Sequence, residues 1–217
     1  MSDNPFHLDI SENQPFFWLI LSRFLFLLAT YAVGRFLLFF VSDRLALQAN
    51  AASEQTGSLL AALALVTVLA AIPAGWAVDR FGRKLCMAVG GLVNALGIFL
   101  LIFGNSFGVI LLFGSLMSLG SAAFASANWA MAADLAPSNQ GGRYFGLLNI
   151  GTGGAAAAAG LFGPLIDFGN QASPGFGYTL LFALAALISL SSVIALRKIP
   201  GTPPLPIMDR AAVEKSS

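Results

Sequence analysis

The side chains in this sequence that can do chemistry are few and unevenly placed. Four charged residues, Asp79, Arg80, Arg83 and Lys84, stand within the ten residues GWAVDRFGRK. A second short segment, DLAPSNQGGR, brings Asp134 and Arg143 to either side of Pro137. These spacings do not suit catalysis. His7 is the single histidine and Cys86 the single cysteine, so a nucleophile–base pair, a disulfide and a cysteine-based metal site all lack their residues. There is no phosphate-cradling loop. The expectation is therefore no enzyme, no cofactor and no metal. What remains is ion pairing and hydrogen bonding, which hold or recognise rather than convert.

The rest of the chain explains why so much charge is confined to so little length. Of 217 residues, 57% are hydrophobic and only 10% charged, where a soluble domain is about one quarter charged. The net charge of +1 gives no basic field for nucleic acid. A bilayer-crossing helix needs about 20 mostly apolar residues. Six runs meet that length: 16–41, 56–78, 85–103, 109–133, 144–165 and 176–196. They are apolar all round, which a soluble helical core would not be. The expected fold is an all-α integral membrane protein of six transmembrane helices. A polar, acidic leader (1–15) without signal-peptide features precedes it, and a proline-rich tail (200–217) follows.

Lysine and arginine set the orientation. Arg80, Arg83, Lys84, Arg143, Arg197, Lys198, Arg210 and Lys215 fall on one side, and only Arg44 on the other. Both termini are then expected in the cytoplasm, with the basic loops.

GWAVDRFGRK resembles the signature loop of the major facilitator superfamily, G-x-L-A-D-R-x-G-R-K. Gly75, Asp79, Arg80, Gly82, Arg83 and Lys84 match six of eight specified positions, while Ala77 and Val78 depart mildly. The loop also lies where that family has it, after the second span of a six-span half. The first span looks more like the family's seventh than its first, so the resemblance implies the C-terminal half of a twelve-span transporter. DLAPSNQGGR is similar to the family's acidic-x-x-Pro segment followed by Arg. The resemblance implies that Asp134 faces Arg83 and that Asp79 faces Arg143 or the start of the fifth span. Such contacts latch the cytoplasmic side; the plainer alternative is positive-inside anchoring with incidental pairs. Physically, Gly82 suits a tight turn and Gly75 a close helix approach, and an anion such as Asp79 is favoured at a helix N-terminus.

Within the spans, polar residues are costly. Arg23 lies about two turns from the cytoplasmic end and is expected to snorkel to the interface. Arg35, beside Tyr31 in the outer half, either faces a central cavity or snorkels outward. In the fourth span Asn128 can hydrogen-bond a ligand while Trp129 stacks on a sugar face, or both can serve interhelical packing. Asn94 and Asn149 are similar cases; Asn149 shares a stripe with Gly146, Gly153, Ala156 and Gly160, which suits close packing. Pro73 and Pro164 are natural kink points. No acid lies deep in a span, and His7 sits in the leader, so proton coupling has no obvious carrier. The function expected is one half of a secondary carrier for a small polar, sugar-like solute, paired with a second six-span half in the bilayer. A membrane interaction protein without transport is the alternative.

Overall fold

The computed structural model describes residues 14–137 and 140–200. The leader with His7, the tail with Arg210 and Lys215, and residues Ser138 and Asn139 lie outside the described residues. Among the described residues there are seven α-helices and no strand: α1 (Gln14–Arg44), α2 (Ala49–Phe81), α3 (Arg83–Leu100), α4 (Phe107–Leu135), α5 (Gly141–Ala158), α6 (Gly163–Ala172) and α7 (Phe176–Ala195). They make six membrane-length spans, because α5 and α6 run on through a 3-10 turn, Ala159–Phe162. Helices are what hydrocarbon demands, since each satisfies its own backbone groups. At 1.5 Å per residue, the 31 residues of α1 exceed the roughly 30 Å apolar core of a bilayer.

The breaks follow from local chemistry. Only Gly82 separates α2 from α3, at φ 87°, with its N–H donated to the Val78 carbonyl. A side chain is disfavoured there, so the glycine permits the two spans to reverse within one residue. Pro164 lies in the first turn of α6, where a missing N–H costs nothing. Pro73 sits inside α2 and deprives the Leu69 carbonyl of its usual partner.

The helices pack in a definite order. α3 lies most extensively on α4, α4 also carries α2, and α1 lies between α7 and α5, with α3 against α7. α3 and α4 approach so closely that a methyl group on Gly90 would lie 2.7 Å from the Phe124 backbone nitrogen. Two apolar clusters fill the bundle. One, at the end carrying Asp79–Lys84, gathers Leu19, Phe26, Met87, Phe124, Met131 and Leu148. The other, at the opposite end, gathers Val33, Phe40, Leu59, Ile98, Ile110 and Phe182. Between them, half-way along α1, α3, α4 and α7, lies a polar layer centred on Asn94.

Candidate functional site

That layer is fully wired. The two N–H groups of Asn94 Nδ2 are shared among Thr30 Oγ1 (3.4 Å), the Met117 carbonyl (3.3 Å) and Ser121 Oγ (3.0 Å). Its Oδ1 accepts from Ser189 Oγ at 3.1 Å. Ser22 Oγ donates to the Ser192 carbonyl at 3.0 Å. Asn94 is completely buried and joins α3 to α1, α4 and α7, which makes it a structural tie.

Nearer the basic end, α1 turns a second polar group inward. Arg23 is 7% exposed. It donates Nη1–H to Asn128 Oδ1 (2.6 Å) and Nε–H to Thr152 Oγ1 (3.0 Å), tying α1 to α4 and α5. Its guanidinium lies 4.4 Å from the centre of the Trp129 ring, which stacks on Phe145 at 5.8 Å. The expectation that Arg23 snorkels to the interface is therefore corrected. Asn128 and Thr152 supply acceptors inside the bundle, so the side chain has no need to reach the headgroups. Thr152 escaped notice in the sequence because a threonine in a small-residue helix carries no signal of its own. Asn128 is 0% exposed, and its Nδ2 has no hydrogen-bond partner among the described residues.

Tyr31 and Arg35 lie about 12–18 Å further along α1 at 1.5 Å per residue. With Thr30, Thr67, Ser118 and Ser121 they line a groove of about 380 Å³ between α1, α2 and α4. Arg35 is exposed, and its guanidinium rests against Gly160. The structure thus keeps Tyr31–Arg35 and Asn128–Trp129 as two sites at different depths. Asn149 joins neither: it is exposed, on the outer face of α5 beside Gly146 and Gly153. Nothing in the bundle would touch a methyl group added at either glycine. The close packing expected of that stripe is absent within this half, because α5 turns its other face to α1.

At the basic end, Arg83 and Asp134 form an ion pair between the start of α3 and the end of α4. Lys84 Nζ donates to the Ile199 carbonyl, a contact the sequence did not suggest. Arg80 lies over Trp76, 5.1 Å from the ring centre. Pro137 follows the end of α4, and its carbonyl accepts from Gln140 N–H at 3.0 Å. Asp79, by contrast, is exposed and has no hydrogen bond or ion pair among the described residues. Arg143 keeps a buried Nη2 without a hydrogen-bond partner among the described residues. The expected contact of Asp79 with Arg143 or the start of α5 is not made, because α2 packs on α4 while α5 packs on α1. Gly75 is likewise not a close-approach point, since a methyl group there would meet nothing within 4 Å.

Comparison with known proteins agrees with this architecture. The profile of the Major Facilitator Superfamily matches residues 14–215. The chain is 30% identical over 156 residues to the minor myo-inositol transporter IolF of Bacillus subtilis (strain 168), a match covering 71% of this chain and 32% of IolF. It therefore spans about a third of the length of that curated relative. Among solved structures, it resembles tetrameric PepTSo2 with a TM-score of 0.78 at 14% identity, over 93% of this chain and 45% of the other. It resembles the bacterial homologue of the human lysosomal transporter Spinster, in an inward-facing state, with a TM-score of 0.73 at 18% identity, over 97% and 48%. It resembles a D-xylose–proton symporter with a TM-score of 0.72 at 15% identity, over 93% and 52%. At these identities the structures speak for the fold, and each is about twice as long as the match.

Proposed function

Because the chain belongs to the major facilitator superfamily, we propose that it forms one six-span half of a secondary carrier. The carrier moves a small polar, sugar-like solute by alternating access. The family and the inositol-transporting relative point to transport rather than to an enzyme. Carriers of this kind bind solute near the midplane between two halves that rock about it. The observation that carries the reading is the polar face left open on the bundle. Tyr31, Arg35 and Trp129 reach an outer surface with Asn128 behind it, and the small-residue stripe around Asn149 flanks it. Against lipid such a face is costly; against a second half it becomes a hydrated cavity wall. That half is a second copy, a separate chain or the remainder of a longer polypeptide, and this one corresponds to the C-terminal half.

In this reading Gly75, Asp79, Arg80, Gly82, Arg83, Lys84, Asp134, Pro137 and Arg143 form the gate at the cytoplasmic end. Arg83–Asp134 braces it from within. Asp79 and the Arg143 Nη2, left without partners among the described residues, meet the other half when the carrier is closed. The bilayer is the bacterial inner membrane, with both termini cytoplasmic. The test is uptake of labelled myo-inositol, D-xylose, glucuronate and glucose 6-phosphate into vesicles holding this chain together with its second half. Saturable accumulation that vanishes when either half is omitted is expected; permeability equal to that of empty vesicles overturns the reading. A non-transporting interaction protein of the same fold would give the second result.

A further inference from the structure

We propose that Arg23, Asn128 and Trp129 form an oxyanion subsite, so that the transported solute carries a carboxylate or phosphate group. The inference rests on the carrier reading above and adds the charge of the substrate. A guanidinium is always cationic and offers five N–H donors but no acceptor. Arg23 places two of them, on Asn128 Oδ1 and Thr152 Oγ1. Both acceptors are neutral, and Arg23 has no ion pair among the described residues. A cation 93% buried in a membrane span is thus left without a counter-charge, an arrangement costly unless something anionic comes to it.

The neighbouring atoms point the same way. Asn128 accepts from Arg23 through Oδ1, which turns Nδ2 away as a second donor, and that donor is buried and unpartnered. A flipped amide would bring two donors together, so the orientation is fixed by Arg23 itself. The site therefore holds a positive charge and an idle N–H, and the acceptors shown beside them are already engaged. That is the complement of an oxyanion, whose oxygens only accept. A neutral polyol would satisfy the donors but leave the charge uncompensated. Trp129 is 42% exposed and carries the guanidinium against its ring, so it forms the open side of the site toward the face assigned to the second half. Arg23 lies seven residues, about 10 Å at 1.5 Å per residue, from the Thr30 level of the mid-bundle layer, on its basic-end side.

The test is equilibrium binding of radiolabelled glucuronate, glucose 6-phosphate and glucose to the full chain with its second half in lipid nanodiscs. The first two probes separate carboxylate from phosphate, and glucose is the neutral control. Asn128→Asp is the informative variant. It supplies a carboxylate to Arg23 from within and removes the idle donor, so folding is expected to hold, with a Tm no lower than that of the unsubstituted chain. Affinity for at least one acid should exceed that for glucose. In Asn128→Asp that affinity should fall about tenfold or more, as loss of a charge-assisted bond implies. Acid binding that is unchanged in Asn128→Asp, or glucose held at least as tightly as both acids, overturns the proposal. If glucose binds and neither acid does, the anion subsite falls and the carrier reading stands. If none of the three binds, the subsite falls too, and the uptake assay decides the carrier reading separately.

Discussion

Asn94 uses both polar atoms of its side chain on three other helices, so its loss should be felt throughout the bundle. Asn94→Leu strands Ser121 beside an apolar group that cannot answer it, while Thr30 and Ser189 keep the backbone carbonyls of Phe26 and Gly91. A buried polar group left unpaired costs about 1–3 kcal/mol, and interhelical bonds in membranes fall toward the low end of that range. Unfolding in mixed micelles should show a loss of about 1–2 kcal/mol, and no loss would mean that the layer is not a tie. Arg83 and Asp134 are partly exposed, so their pair should contribute no more than about 1 kcal/mol. In a double-mutant cycle with Arg83→Ala and Asp134→Ala, a coupling above that limit would show a pair better shielded from water than this one. Asp79 gives the opposite expectation. Having no partner among the described residues, Asp79 should be replaceable by Asn with the Tm of the half unchanged. In the assembled carrier the substitution should raise labelling of a cysteine placed at Gly142. Lowered Tm in the half would show a contact that the structure lacks, and unchanged labelling would return Asp79 to the role of a simple anchor.

At the scale of elements, the spans were legible because hydrocarbon leaves a chain so few choices. Twenty apolar residues between charged or glycine-rich punctuation can only be a crossing helix, and Gly82 marked its reversal plainly. Neighbour order was not legible. The contact of Asp79 with Arg143 was expected from loop chemistry, yet it requires α2 beside α5, and nothing in either segment says that α4 and α1 take those places instead. Arg23 is the same lesson inside a span. Its acceptors lie 105 and 129 residues away, so its position along α1 suggested an interface and concealed a buried site. The contrast between two small-residue helices is also three-dimensional. Gly120 lies against the backbone of α3 at Asn94, while Gly153 faces open space. Gly120→Val should therefore cost about 1–3 kcal/mol by overpacking. Gly153→Val should leave the stability of the half unchanged and weaken only its pairing with a second half. Equal effects of the two substitutions on half-bundle unfolding would contradict this packing.

As a whole molecule, the bundle has a charged end, two apolar clusters and one face whose polar groups have nowhere to go within it. Reporter fusions check its orientation: those after Lys84 and Lys198 should read cytoplasmic and those after Ser106 outside, and the reverse pattern would invert the gate. In the proposed carrier the face of α1, α4 and α5 lies against another six-span half. That pairing is tested most directly by placing a benzophenone photo-cross-linker at position 153 and irradiating native membranes, with the products identified by mass spectrometry. A cross-link into a six-span half is expected, whether a second copy, a separate chain or another part of the same polypeptide. Cross-links to lipid alone, with the chain remaining at its own mass, would contradict it.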